Sequence, residues 1–450
     1  MDFLFGETAT LSRYLEVEIA LARTQAELDL IPERAAEAIA TNATVEKIDL
    51  ERHRQSFSTV GFPIVGVVEQ LTEMVPDGLG DYAHWGATTQ DIMDTATILA
   101  LRDVVGWVGE SIDGIAVRLA ELAERHRRTL MMGRSQLQHA VPITFGYKAT
   151  GWLMPLLRHR ERLGELSPRL LNVQFGGAVG SLAALGPVGL QVRRGLAERL
   201  GLGEPTFTWH TQRDALAEWV AFLGVLTGTL AKIATDIILL AQSDVAEVRE
   251  PTVKGRGVSS TMPQKRNPVL SQQVVVAAEH VRAEVGGMLG AMVQDHERGT
   301  GTWQLEWSLI PDSASHSLAA LERMSEIVAG LEVDSDRMKR TLELSGGFAY
   351  AEAVMMAAAP SVGRQRAHDL VSDAVNRAAE GRSFLESLED SPELVAAVPA
   401  SELGHIFDGV VHLDAADAVV KDALASCADS LTSCVDLLPK EDSQKSASIQ

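Results

Sequence analysis

The sequence crowds groups capable of proton transfer and anion binding into one short stretch, "VSSTMPQKRNP" (258–268). Ser259 and Ser260 are followed by Lys265, Arg266 and Asn267, and Lys254 and Arg256 lie just upstream. Gly255 and Gly257 lend such a loop freedom, while Pro263 and Pro268 stiffen its end. A hydroxyl set among cations and backbone N–H groups gives up its proton more readily than a free serine. Removing a proton beside a carboxylate needs such a base, together with cations for the doubly charged oxyanion that forms. A closing loop would also exclude water from that state.

Four more polar islands interrupt an otherwise apolar chain: "HWGATTQD" (84–91), "GRSQLQHAVPITFG" (133–146), "WHTQRD" (209–214) and "QDHERGTGTWQLEW" (294–307). Each is expected at a helix end, where free backbone N–H groups and a partial positive charge favour carboxylates. Singly, each has a plainer explanation. Thr88–Asp91 could simply cap the helix that follows. His139 alone reads as a satisfied core histidine, and His84 beside Trp85 says no more.

The elements that must position these islands are helical. "SRYLEVEIALARTQAEL" (12–28) and "GESIDGIAVRLAELAERHRRT" (109–129) repeat apolar residues every three to four positions. Segments 144–172, 211–247 and 269–294 are long and apolar on more than one side, as in a bundle whose helices are covered by several neighbours. Strand alternation is scarce, so the fold class is all-α. The 450 residues are 46% hydrophobic and 22% charged, an ordinary globular composition. A formal charge of −21 disfavours nucleic acid and anionic membrane surfaces as partners. Residues 170–192 and 215–241 are apolar, but the first is rich in Gly and the second is interrupted by Glu218, Lys232 and Asp236, so neither reads as a membrane span. Two cysteines, Cys427 and Cys434, read as small buried hydrophobes. With no basic, apolar leader at the start, a cytoplasmic, reduced setting is expected. No metal-ligand spacing occurs.

The islands, in this order, resemble the motifs of the fumarase/aspartase superfamily, and "SSTMPQKRNP" resembles its signature loop. The resemblance covers nearly the whole chain. "HWGATTQD", "LQHAVPITFG", "QFGGAVGSLAALG" (174–186), "WHTQRD" and "HERGTGTWQLEW" are most similar to bacterial 3-carboxy-cis,cis-muconate cycloisomerases, with adenylosuccinate lyases as the next relatives. Breaks at 76–91 and 342–350 divide the chain into an N-terminal helical domain (1–92), a central helix bundle (93–341) carrying the signature loop (247–268) and a C-terminal helical domain (342–440). The last ten residues (441–450) read as a disordered tail. The resemblance implies the same three-domain, all-α fold. It further implies a homotetramer around a core of about twenty helices, with each active site shared among three subunits. Ser259 would be the general base, with His139 and Lys265 also catalytic. Asn267 would hold, with Lys265, the carboxylate whose α-proton moves. His84, Thr88, Thr89, Gln136, Gln212, Arg213 and Arg298 would bind the rest of a small polycarboxylate. No cofactor and no metal are implied.

Two departures bear on the reaction. Most of the superfamily reads Thr-His where this chain has Ser135–Gln136, and has a Glu where this chain has Gln272. An amide neither gives nor takes a proton at neutral pH, so the His–Glu relay is absent. An amine leaving group needs a proton, whereas a carboxylate departs as a stable anion of pKa about 4. The loss therefore favours lactone chemistry over adenylosuccinate-type cleavage. Trp307 points the same way, standing where adenylosuccinate lyases carry an Arg suited to a phosphate. The expected activity is addition or elimination across a C–C bond beside a carboxylate, namely lactonisation of 3-carboxy-cis,cis-muconate or a close analogue in aromatic-compound catabolism. The alternatives are a C–N lyase releasing fumarate from an iminodisuccinate- or adenylosuccinate-like N-substituted aspartate, and a non-catalytic structural relative. Retention of Ser259, Lys265 and Asn267 together speaks against the last.

Overall fold

The computed structural model describes residues 2–253, 255–258 and 261–437. Lys254, Ser259, Ser260 and the expected tail at 441–450 lie outside the described residues. The chain is built almost wholly from helices, as the apolar periodicity predicts. The longest runs are Thr89–Arg125, Phe145–Leu170, Asp214–Leu240, Val269–Ala291 and Thr302–Gly330. At 1.5 Å per residue the first, with 37 residues, extends about 55 Å.

These helices contribute to two compact units that are discontinuous in sequence. The first comprises residues 1–109, 160–227 and 277–319; the second comprises 110–159, 228–276 and 320–450. In the first unit the Glu7–Glu27 helix buries Leu11, Tyr14, Leu15, Leu21 and Ala22 against Ile39, Ile64, Val67 and Leu71 of the following helices. Three polar residues of this helix, Glu18, Thr24 and Gln25, are also buried. In the second unit Val354, Leu370, Phe384 and Ile406 form the core of the C-terminal helices.

The Asp214–Leu240 helix is long and apolar enough to cross a membrane by length and composition. Several of its apolar side chains, Trp219, Leu223, Leu230 and Ile237, are nevertheless buried in protein. Of its charges, Glu218 pairs with Arg169 and Lys232 with Asp236, which also accepts from the Trp152 indole N–H. Cys427 is free and buried, at the break between the Val410–Ser426 and Ala428–Leu437 helices.

The island at 133–146 is not simply a helix end. It lies in an antiparallel hairpin of Leu130–Ser135 with Gln138–Thr144, which runs directly into the helix at Phe145. Leu130 pairs with Thr144 and Ser135 with Gln138, with one slip in register between Met132 and Arg134. The two-residue turn is Gln136–Leu137, at φ +50° and +64°. Positive φ at both central positions matches the right-handed twist of the strands. Neither residue is the Asn or Gly that usually marks such a turn, which is why the alternation was not read as a hairpin.

Candidate active site

In the first unit the "HWGATTQD" island opens the Thr89–Arg125 helix. Thr88 is held by half of a capping box: its N–H donates to Asp91 Oδ2 (3.1 Å), and the Asp91 N–H donates to the Thr88 carbonyl (3.0 Å). The capping explanation is therefore correct for the backbone. It leaves the two threonine hydroxyls free for other work. Arg298, from "HERGTGTW", donates to Thr88 Oγ1 (2.9 Å), Thr89 Oγ1 (3.4 Å) and the Ala178 carbonyl (3.4 Å). These acceptors are all neutral, and among the described residues Arg298 makes no ion pair. Burial pushes its pKa down from the usual guanidinium value, against the opposing pull of Asp91 and Asp94. A half-buried cation with no acid of its own, two hydroxyls and a helix N-terminus together form a cradle whose chemistry suits a carboxylate.

Asp91 organises that cradle. It is fully buried and accepts from the Gly176 and Gly177 N–H groups (2.9 Å each) and from His210 Nε2 (2.7 Å). The "QFGGAVG" turn is thereby drawn against the helix start. A Cβ at Gly176 would stand 2.8 Å from both Gly180 Cα and Thr208 Oγ1, so only glycine allows the approach. Gln174 completes the clamp, donating to Thr208 Oγ1 (2.8 Å) and accepting from the Trp209 N–H (2.8 Å).

His84 sits at φ +56°. The buried Glu18 carboxylate holds it twice, at the His84 backbone N–H (3.0 Å) and at Nδ1 (2.6 Å). Burial disfavours the imidazolium, but the charge and hydrogen bond of Glu18, helped by Asp91, outweigh it and raise the His84 pKa above the ordinary histidine value. Gln25, seven residues along the same helix, donates to the Trp85 carbonyl (2.6 Å).

Arg213 corrects the sequence expectation. It was expected to hold a substrate carboxylate, but it is buried between Asp94 and Glu306. Its Nε and Nη2 donate to Glu306, Nη1 and Nη2 to Asp94, and Nη1 also to the Trp209 carbonyl. Those bonds occupy all five of its N–H donors. Arg213 therefore braces the helix start and has no donor left for substrate. Gln212 beside it is exposed, and its backbone N–H donates to the Trp209 carbonyl.

The second unit carries the remaining candidates. The loop is pinched at its base: the Asn267 backbone N–H and side-chain Nδ2 both donate to the Gly257 carbonyl (3.0 and 3.1 Å), and Val258 bridges to Arg266. Gly257 is at φ +66°, and a Cβ there would stand 2.5 Å from the Asn267 carbonyl. Lys265 is exposed; its N–H donates to the Met262 carbonyl (3.0 Å). Arg256 pairs with Glu326 and is committed to holding the loop. Glu250 caps the next helix through the Leu270 and Ser271 N–H groups (3.1 and 2.7 Å). Gln136 lies in the hairpin turn and His139 on the following strand, both exposed. Gln272 is exposed in the first turn of Val269–Ala291. Among the described residues no group of three or more His, Cys, Asp or Glu is placed to hold a metal ion.

The first unit thus brings together Thr88, Thr89 and Arg298, with His84 in the same island, and takes Arg213 out of the binding set. Lys265, Asn267, Gln136 and His139 belong to the second unit. Glu18, Asp94, Gln174, His210 and Glu306 were missed from sequence. Only Glu18 carried a local signal, an acid on the apolar stripe of an amphipathic helix.

Residues 4–283 match the family described as Lyase, and residues 347–423 match the family described as Adenylosuccinate lyase C-terminus. Trans-aconitate decarboxylase 1 of Mycosarcoma maydis is 43% identical over 92% of this chain and 84% of its own length. The 3-carboxy-cis,cis-muconate cycloisomerase of Pseudomonas aeruginosa is 41% identical over 94% of each chain. Among solved structures, the 3-carboxy-cis,cis-muconate lactonizing enzyme of Pseudomonas putida superposes with a TM-score of 0.90 at 40% identity, covering 95% of this chain and 96% of that one. With its helical fold, its signature loop and these matches, the chain is an enzyme of the fumarate lyase superfamily.

Proposed function

We propose that this enzyme catalyses cofactor-independent addition or elimination beside a carboxylate on a small polycarboxylate, specifically lactonisation of 3-carboxy-cis,cis-muconate or a close analogue. The observation that carries the reading is Arg298, a cation without an acid, meeting the Thr88 and Thr89 hydroxyls at a helix start. One carboxylate would dock there. In the lactone-forming direction another carboxylate oxygen adds to the diene, forming a C–O bond, and Ser259 delivers a proton to the carbon beside the carboxylate. In reverse, Ser259 removes that proton and the ring carboxylate leaves. Lys265 and the free N–H of the Asn267 amide would hold the aci-carboxylate between these steps. The similarity to a trans-aconitate decarboxylase supports a tricarboxylate among the analogues. We further propose a cytoplasmic homotetramer, divided at residues 92 and 341, whose sites each draw on three subunits; this assembly would bring the loop and the cradle together.

The His84–Glu18 pair favours one second reading. A charged imidazole could protonate a departing amine without the missing relay, so a C–N lyase releasing fumarate is the alternative. One panel separates the two. With 3-carboxy-cis,cis-muconate, the diene absorbance should fall and a lactone should accumulate. Ser259→Ala should slow turnover by about 100-fold or more while assembly persists. Unchanged turnover would remove Ser259 from the role. Fumarate from an N-substituted aspartate, with the muconate left intact, would install the second reading.

A further inference from the structure

Arg134 and Glu247, in the second unit, form an ion pair that takes no part in the carboxylate cradle. Arg134 sits on the hairpin two residues before Gln136, and Glu247 directly precedes the short strand Val248–Arg249 that leads into the signature loop. The pair is bidentate: Arg134 Nη1 donates to Glu247 Oε2 (2.9 Å) and Nη2 to Oε1 (2.8 Å). Nη1 also donates to the Met132 carbonyl (3.1 Å). The Glu247 side chain is completely enclosed, at 0% exposed.

The local backbone delivers both side chains. The hairpin register slips between Met132 and Arg134, and a Cβ at Gly133 would stand 2.5 Å from the Val141 carbonyl oxygen. The close approach requires glycine there, and such an irregularity re-aims the side chain beside it. Glu247 is fixed through its own main chain. Its N–H donates to the Leu240 carbonyl (2.9 Å), and its carbonyl accepts from the Asp334 N–H (3.0 Å). Three residues on, Glu250 caps the helix at the far end of the loop through the Leu270 and Ser271 N–H groups. Two carboxylates of one short stem therefore grip the hairpin on one side and the helix beyond the loop on the other. A buried ion pair is weak evidence for stability, because desolvation offsets its attraction and apolar residues of similar volume often serve as well. What a guanidinium–carboxylate fork does supply is direction.

We propose that Arg134 and Glu247 are positioning residues, which lock the hairpin turn bearing Gln136 to the stem of the loop that carries Ser259 and Lys265. The two segments, joined across 113 residues of sequence, then act as one rigid part of the site. The proposal deepens the functional reading above and rests on its assignment of Ser259 as the reacting group.

The test separates direction from stability in the full-length protein. Arg134→Met alone strands the buried Glu247 carboxylate and should lower the denaturant midpoint sharply. Arg134→Met combined with Glu247→Leu removes both charges and should regain most of the parental midpoint. Its kcat on 3-carboxy-cis,cis-muconate should nevertheless stay about 10- to 100-fold down, with KM little changed. Trypsin gives a readout that needs no substrate: cleavage at the exposed Lys265 and Arg266 should be several-fold faster in the double variant than in the parent. Arg134→Lys keeps the charge and loses the fork, so it should show both effects at a near-parental midpoint, and it decides the matter if the double variant does not fold. Parental kcat, or parental cleavage of the loop, in a folded double variant or in Arg134→Lys would overturn the proposal. Ser259→Ala checks the underlying reading separately. If it keeps full turnover that reading falls, and loop cleavage alone judges the pair.

Discussion

Arg298 and His84 are both cations in the first unit, and their surroundings assign them different tasks. Arg298 is charged without a carboxylate partner, so its hydrogen bonds to Thr88 and Thr89 can be exchanged for a substrate carboxylate. A charge-assisted pair of this kind contributes about 1.5–3 kcal/mol. Arg298→Gln should therefore lower kcat/KM by roughly 10- to 100-fold, chiefly through KM, as steady-state kinetics would show. His84 is tied to a buried acid. Its folded pKa lies above the unfolded value of 6.5, so its contribution to stability is complete below pH 6.5 and is lost as pH rises through the folded pKa. Glu18→Gln removes the charge that raises the pKa. The alkaline loss of stability, followed by denaturant midpoints across pH, should then begin at lower pH than in the parent. An unchanged profile would show that Glu18 does not hold the imidazolium. At this scale the sequence was informative wherever a residue type was rare for its setting. Arg298 stands out in a polar island and the structure sets it on the Thr88 and Thr89 hydroxyls, whereas Glu18, an acid on an apolar stripe, offered a signal that was passed over. Arg213 misled because a motif gives a side chain's identity without its partners. Asp94 and Glu306, 119 and 93 residues away, absorb its donors.

The elements were legible in proportion to their length. Helices of 23 to 37 residues repeat their apolar pattern many times over, and the boundaries expected for 144–172, 211–247 and 269–294 fall within a few residues of those found, except for the C-terminal limit of the second. The hairpin was missed because it is short and because its turn uses Gln136 and Leu137, two residues that seldom adopt positive φ. Those positions carry a conformational penalty that Asn-Gly would relieve. Gln136→Asn with Leu137→Gly should raise stability by about 0.5–1 kcal/mol, readable as a higher denaturant midpoint. If Gln136 contacts substrate as proposed, the same pair of changes should also lower kcat/KM. A stabilised protein with full activity would remove Gln136 from the binding set.

For the molecule as a whole, the long helices leave large apolar side chains uncovered. Val225, Val276 and Leu289 are each more than half exposed. Such surface on otherwise buried helices suits association with further copies, in line with the proposed tetramer. Light scattering should give a mass four times the 48.5 kDa of one chain. Leu289→Glu should dissociate the assembly and abolish turnover together. A monomer that kept its activity would sink the shared-site reading. None of this was visible in composition, since an apolar fraction of 46% fits a monomer equally well.

The cradle also sets a timetable for the newborn chain. Thr88 and its cation Arg298 are separated by 210 residues of sequence. At about 5–20 residues per second, a ribosome needs roughly 10–40 s to travel from one to the other. Throughout that interval the acids at the helix start, Asp91 and Asp94, are already made while Arg298 is not. The nascent chain thus carries these acids, and partway through the interval their own partners His210 and Arg213, well before Arg298. It cannot acquire affinity for a carboxylate until the ribosome has passed Arg298 and released it from the exit tunnel, so anion binding is among the last properties the first unit gains.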